Sequence, residues 1–218
     1  MRAVVIGAGR TAEELGRAFP GVAVRTSGRD EVLSTVPAEA ALVVATPGAE
    51  PVAVGGYGAA LLLDGWALLN RPDLDAAEEG LRRWMNAATL VRPGGAVLIS
   101  AEPGVPAVQA LVRWAPGWLA ERERAERAEL GFPPSVRFAS LTGTASAVAD
   151  LLAVVDLPAS AQLLGPVPAA EDQERMLVRV ARSDGAALAR ALHGGQGVRS
   201  ARKVAETVRV QLDPVELV

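Results

Sequence analysis

The chain of 218 residues contains no cysteine, one histidine and one lysine. Without cysteine, the sequence excludes disulfides, thiolate zinc sites and cysteine nucleophiles. A single histidine, His193, argues against a histidine-centred triad or a polyhistidine metal site. The single lysine does not lie in a G-x-x-x-x-G-K-[ST] sequence, so the phosphate-binding loop of nucleotide hydrolases is not predicted. We therefore predict no catalytic residue and no metal ligand in this chain.

Long hydrophobic runs and a strong charge of either sign are also missing. The longest apolar run, GAALLLDGW, is interrupted by Asp64 and falls short of the ~18 residues of a membrane-spanning helix. The formal net charge of −3 indicates neither an acidic tail nor a surface that coats a polyanion. Half of the residues are hydrophobic, which is enough for a sizeable core. We expect a soluble cytoplasmic protein with no membrane partner, and a monomer.

The first half of the sequence alternates between apolar strands and helices. Strands are predicted at residues 2–6, 22–25, 42–45, 60–63 and 97–99. Buried apolar strands that alternate with helices are typical of a mostly parallel sheet with both faces covered. We therefore predict an α/β domain over residues 1–130. Its last part is a charged helix that ends at GFPP, residues 131–134, because proline cannot continue a helix.

Beyond residue 134 the predicted elements follow a different order. Strands are predicted at residues 136–141, 161–166, 176–181 and 208–212, and helices at 145–155 and beginning over 185–192. The resulting β-α-β-β-α-β order is that of a small α+β, ferredoxin-like domain. We therefore predict a second domain over residues 131–218.

The stretch GAGRTA, residues 7–12, allows two interpretations. It matches G-x-G-x-x-G/A, the turn that binds the pyrophosphate of a dinucleotide. The acidic residue expected at the end of the next strand is missing, but Arg25, Ser27 and Arg29 are suited to hold the ribose phosphate of NADP. One hypothesis is thus an NADP-binding oxidoreductase. The other is that the glycines make a tight turn from a strand into a helix.

Seven segments of the chain carry a resemblance to a known family. In chain order they read GAGRTAEELGRAFPG, RPDLDAAEEGLRR, PAVQAL, AERAELGFPPSVRFASL, LLGPVPA, RMLVRVA and VRVQLDPVELV. They resemble, in the same order, the carboxy-terminal half of PriA, the family of bacterial primosomal replication-restart helicases. The resemblance implies a second RecA-like helicase lobe with a parallel sheet over residues 1–130 and a PriA-type C-terminal domain over residues 131–218.

The sequence departs from this family at the helicase motifs. The family's Gln-x-x-Gly-Arg-x-Gly-Arg motif loses both of its arginines here, and such arginines stabilise charge on the phosphates during hydrolysis. The matching positions are Asn86, Thr89, Leu90, Arg92 and Pro93. The resemblance therefore implies a variant with degenerate helicase motifs, similar to actinobacterial members. It associates ATP and zinc with the parent family and no cofactor with this chain, which we expect neither to bind nor to hydrolyse ATP. It also implies a parent without intrinsic helicase activity, and leaves open whether the parent binds ATP.

The basic residues near the carboxyl end are the main candidates for DNA binding. Arg199, Arg202 and Lys203 span one turn and can share a face that contacts successive phosphates. Arg209 belongs to the same cluster. The preceding HGGQG, residues 193–197, is predicted as a loop whose glycines let the backbone approach nucleic acid. The alternative is a solvated helix end whose cations pair with nearby carboxylates.

Two further positions and the tryptophans complete the candidates. Arg137 begins the first strand of the small domain, and Thr46 is retained from a lobe-two motif of the family. Trp84 and Trp114 lie in amphipathic helices and are predicted to be buried, whereas Trp66 is the best candidate to stack on a base. The leading hypothesis is the DNA-binding part of a replication-restart protein, which binds forked or single-stranded DNA. Single-strand-binding protein and primosome proteins are the implied partners, and a primosome interaction module is a further alternative.

Overall fold

The computed structural model of the chain describes residues 7–169 and 172–214. Two compact units divide between Ala120 and Glu121, within the charged helix. The strand predicted at residues 2–6 lies outside the described residues, and the domain boundary at residue 130 stays a prediction. Among the described residues, no helix has both the length and the apolar character needed to cross a membrane.

The first unit is a mixed α/β arrangement of short strands and helices. Its helices are α1 (Ala8–Ala18), α2 (Gly65–Leu69), α3 (Ala76–Thr89), α4 (Pro106–Arg113) and the beginning of α5 (Pro116–Leu130). Its strands are β1 (Ala23–Ser27), β2 (Thr35–Val36), β3 (Ala41–Ala45), β4 (Val52–Ala53), β5 (Tyr57–Leu62) and β6 (Val91–Ile99). The strands pair in parallel, as predicted, but the described residues form three two-stranded sheets, β1–β3, β2–β4 and β5–β6, instead of one.

The core of the first unit lies on one face of the β5–β6 pair. Leu81 and Trp84 of α3 are buried there together with Leu111 of α4, so the burial predicted for Trp84 is confirmed. Successive side chains of a strand point to opposite faces, and Leu61 pairs with Leu98 on the other face. These two leucines are 64% and 54% exposed. The prediction that both faces are covered is therefore wrong for this pair, because the helices in contact with it pack on one face.

The second unit contains the rest of α5 and a four-stranded antiparallel sheet with two further helices. Its strands are β7 (Val136–Gly143), β8 (Gln162–Pro168), β9 (Glu174–Ala181) and β10 (Arg209–Leu212), in the sheet order β10–β7–β9–β8. Its helices are α6 (Ala145–Val154) and α7 (Gly185–Ala201), and a 3-10 turn, Arg182–Asp184, precedes α7. The predicted β-α-β-β-α-β order of elements is observed. Strand β8 lies at an edge, and its register shifts between Leu164 and Val167, where the chain reads Gly-Pro.

Alternation along the central strands builds the core of this unit. The core residues of β7 are Ala139 and Leu141, and those of β9 are Val178 and Val180. The two pairs lie in adjacent rows on one face of the sheet. Both helices cover that face, and Leu192 is among the helix residues buried against it. One-sided packing of helices on an antiparallel sheet follows from this period of two, because every second side chain points toward the helices.

The HGGQG segment is helical, so its prediction as a loop is wrong. It forms the middle of α7, which runs without a break from Gly185 to Ala201. The reason lies at Gly195, where an added β-carbon would be 2.3 Å from Val155 Cγ2 and 3.0 Å from Leu151 Cδ1. Glycine costs helix stability, but at this position it permits α7 to approach α6 closely. Contact between the helices therefore outweighs the local preference.

Candidate nucleic-acid interface

Arg199 does not belong to an exposed basic face. Its side chain is 5% exposed, because it continues the buried stripe of α7 formed by Leu188, Leu192 and Gly195. Its guanidinium donates hydrogen bonds to the carbonyl oxygens of Ala147 at 3.0 Å and of Glu206 at 2.7 Å. The exposure expected from the spacing of the three cations is therefore wrong for Arg199. This arginine joins α7 to α6 and to the segment before β10.

Arg202 and Lys203 are exposed at the carboxyl end of α7. The Lys203 amide donates to the Ser200 carbonyl at 3.0 Å, and the Val204 amide donates to the Arg199 carbonyl at 3.3 Å. These two bonds form a Schellman motif, which requires a left-handed residue, and Lys203 occupies that position with φ of 55°. Within the described residues neither side chain has an ion pair, so both cations are available to a phosphate.

Glu206 holds the segment between α7 and β10 against the amino end of α6. Its carboxylate accepts hydrogen bonds from the hydroxyls of Thr144 at 2.6 Å and Ser146 at 3.0 Å. Thr144 is also the N-cap of α6, where its Oγ1 accepts from the Ala147 amide. The Thr144 hydrogen bond, then that of Ser146 and the charge of Arg199, lower the pKa of Glu206 below its ordinary value. Glu206 is therefore ionised wherever DNA binding would be measured near neutral pH.

Arg209 and Arg175 flank Thr142 on three adjacent strands. Thr142 of β7 pairs with Arg209 of β10 on one side and with Arg175 of β9 on the other. Residues directly opposite one another in an antiparallel sheet lie on the same face. The amide of Gln196 also donates to the Val208 carbonyl at 2.7 Å, which holds the start of β10 beside α7. The sequence signal for Arg175, which the prediction missed, is its alternation with the core residues of β9.

Arg137 lies apart from this group. It is near the start of β7, five residues before Thr142, which corresponds to about 17 Å along a strand. Its guanidinium forms an ion pair with Asp213, and its side chain packs against Gly185 at the start of α7. Neutralised by a carboxylate, Arg137 is not brought together with the predicted cluster.

Thr46 belongs to the first unit, in the loop that follows β3. Its half-buried side chain faces Gly28, where an added β-carbon would lie 2.9 Å from Thr46 Oγ1. The next residue, Pro47, accepts a hydrogen bond from Arg83 Nη1 at 2.9 Å. Arg83 in turn pairs with Glu79, whose pKa is lowered to about 2, first by the hydrogen bond from Arg82 and then by that from Arg83. This network holds the loop to α3.

The residues proposed for an NADP phosphate have different surroundings. Ser27 is buried, and its hydroxyl donates to the Ala49 carbonyl at 2.6 Å and accepts from the Leu33 amide at 3.0 Å. Both bonds are structural and occupy the hydroxyl, while Arg29 is exposed. Within residues 7–169 and 172–214, no cluster of three or more histidine, aspartate or glutamate side chains forms a metal-binding group.

The positions that correspond to the degenerate helicase motif lie at the junction of α3 and β6. The hydroxyl of Thr89, the last residue of α3, donates to the Asn86 carbonyl at 2.6 Å. Arg92 is exposed on β6. The loss of ATP binding stays a prediction.

Comparisons with known proteins identify the region that contains the basic helix end. Residues 128–215 match the family model described as the primosomal protein N C-terminal domain. This region is similar to the C-terminal domain of the PriA family. The whole chain is 54% identical over 232 residues to the probable replication restart protein PriA of Mycobacterium leprae, and 53% identical over 239 residues to that of Mycobacterium tuberculosis. Each match covers 100% of this chain and 36% of the relative, so the chain spans about a third of the length of the curated relatives it matches. The resemblance to PriA predicted from the sequence is confirmed.

Proposed function

We propose that this chain is the DNA-binding part of a PriA-type replication-restart protein, and that it contacts forked or single-stranded DNA. The observation that carries the proposal is the match of residues 128–215 to the primosomal protein N C-terminal domain. The similarity of the whole chain to mycobacterial replication restart proteins supports it. Assembly with single-strand-binding protein and other primosome proteins is part of the same proposal.

We also infer the fold of each unit from its topology. The antiparallel order β10–β7–β9–β8, with α6 and α7 on one face, supports a ferredoxin-like second unit. The parallel strand pairs and their helices support a RecA-like lobe in the first unit. The degenerate motif around Arg92 supports a lobe that has lost its part in ATP hydrolysis.

The proposed phosphate contacts are Arg202, Lys203 and Arg209. The first two are exposed at the end of α7, and Arg209 is exposed at the start of β10, on the sheet face opposite the one that the helices cover. Arg199 positions them, because its buried guanidinium holds the carbonyl of Glu206 in the segment between them. A net charge of −3 provides no long-range attraction, so affinity must come from this local group.

The test is a salt titration of forked DNA binding by fluorescence anisotropy. The variant Arg202→Gln/Lys203→Gln/Arg209→Gln should bind more weakly and reduce the log–log salt slope by about two to three units, roughly 0.7–0.9 for each phosphate that the protein no longer neutralises. The control is Arg190→Gln, because Arg190 is exposed and lies about 18 Å from Arg202 along the axis of α7. An unchanged slope in the triple variant would contradict the site. Tight NADPH binding without DNA binding would instead favour the oxidoreductase.

A further inference from the structure

The junction of α4 and α5 exposes two tryptophans. Trp114 is 51% exposed and Trp118 is 43% exposed, beside Val112, which is 72% exposed. The burial predicted for Trp114 is therefore wrong, because α4 ends at Arg113 and Trp114 no longer follows the apolar face of that helix. Neither indole is covered by the core that encloses Trp84.

Trp114 also occupies a backbone position suited to glycine. Its φ of 53° and ψ of 44° place it in the left-handed region. The Trp114 amide donates to the Leu111 carbonyl at 3.0 Å and the Ala115 amide to the Ala110 carbonyl at 2.9 Å, which is a Schellman motif. A bulky residue adopts this conformation at an energetic cost that glycine avoids. Such strain is common at functional sites, and packing does not account for a half-exposed indole here.

The charge of this segment is positive. Arg113 places its guanidinium carbon 5.9 Å from the ring centroid of Trp118, within the range of a cation–π contact. From Pro103 to Ala120 the sequence contains no carboxylate, and Arg113 is its one charged residue. The corner therefore combines two flat aromatic rings with a cation, and the first carboxylate along α5 is that of Glu121, one turn beyond Trp118.

We propose that Trp114 and Trp118 stack on the bases of single-stranded DNA while Arg113 pairs with an adjacent phosphate. The inference rests on the proposed DNA-binding function and adds a second contact, in the first unit, which reads bases in place of phosphates. Stacking on aromatic rings tolerates every base, because each base has a π-face. The site therefore binds unpaired strands without sequence preference, as required of a protein that meets arbitrary forks.

The test compares two probes, a dT oligomer and an abasic oligomer of the same length and phosphate count. Wild-type protein should bind the dT oligomer roughly 5-fold or more tightly, as stacking of one base is worth about that factor or more. The variant Trp114→Leu/Trp118→Leu keeps apolar area but loses both rings. It should lose the preference for dT and keep its affinity for the abasic oligomer. Trp118→Phe, which keeps a ring, should retain part of the preference.

Trp66, which the sequence favours as the stacking residue, is 37% exposed on α2 and is tested separately by Trp66→Leu. This variant should keep the dT preference of wild type, and loss of that preference would assign the stacking to Trp66 and overturn the proposal. A dT preference in the double leucine variant equal to that of wild type would also overturn the proposal, and would favour a protein partner at this corner. Equal binding of both probes by wild type would refute stacking while the phosphate contacts stand. If neither probe binds, the proposed function falls as well.

Discussion

Replacement of Arg199 by alanine should destabilise the second unit far more than replacement of any neighbouring cation. The change removes a buried guanidinium and its hydrogen bonds to the carbonyls of Ala147 and Glu206. A hydrogen bond to a charged group contributes about 1.5–3 kcal/mol. The ion pair with Asp150, at 3.8 Å and with a carboxylate that is 69% exposed, adds little. We expect a loss of about 3 kcal/mol in the free energy of unfolding.

For a unit of this size, that loss corresponds to roughly 12–24 °C in melting temperature, at about 4–8 °C for each kcal/mol. Arg199→Lys should recover less than half of it, because an ammonium cannot reproduce the planar fork of a guanidinium. The control is Arg202→Ala, three residues along the chain and exposed, which should change stability by about 0.5 kcal/mol at most.

The sequence provides an internal reference for this measurement. All four tryptophans and the single tyrosine precede residue 120, so indole emission reports on the first unit. Far-UV circular dichroism reports on both units. In Arg199→Ala, one dichroism transition should move to lower temperature while the emission transition stays in place. Equal effects of Arg199→Ala and Arg202→Ala, or a shift of the emission transition alone, would refute the buried anchoring of Arg199.

Three further substitutions test the helix ends and the helix contact. Lys203→Gly should stabilise the second unit by about 1 kcal/mol, because glycine adopts the left-handed conformation freely; a lower urea midpoint would show that the lysine side chain contributes. Gly195→Ala should destabilise the second unit by about 1–3 kcal/mol, since its β-carbon would meet Val155 Cγ2 at 2.3 Å. The control Gly194→Ala should not destabilise it, because an added β-carbon there has nothing within 4 Å. Because folding lowers the pKa of Glu206, its ionised carboxylate stabilises the folded state at pH values above 4.5, the ordinary pKa of glutamate. This stabilisation is lost as the pH falls through the pKa of the folded state. Glu206→Gln should flatten this acid limb in urea titrations, and an unchanged limb would exclude the carboxylate as its source.

Local signals make most of the secondary structure predictable. Helix α4 begins at Pro106, since proline is favoured in the first turn, and it ends at Arg113. Strand β9 is predictable from its alternation, because Met176, Val178 and Val180 face the core at every second residue, as a half-buried sheet requires. The glycines of HGGQG locally favour a loop, whereas the structure has a helix there. Contact with α6, which is distant in the sequence, stabilises this helix and is not part of the local preference.

The location of the candidate site can be predicted from the sequence, but the exposure of its individual side chains is harder to predict. The spacing of Arg199, Arg202 and Lys203 puts them in one turn, and all three do lie at the end of α7. Spacing alone does not say which side of the turn faces the core. The stripe Leu188, Leu192 and Gly195, at intervals of four and three, contains that information, because Arg199 is its next member.

The interrupted edge strand β8 bears on how copies of this chain meet one another. An edge with a continuous row of free amides and carbonyls is a template for another strand. In β8 the sequence places Gly165 and Pro166 between Leu164 and Val167, where the register shifts. Proline has no amide hydrogen to donate, so a strand added along this edge would lose its hydrogen bonds midway. The exposed leucines of β8 therefore lie on an edge that is a poor template for a strand from another copy.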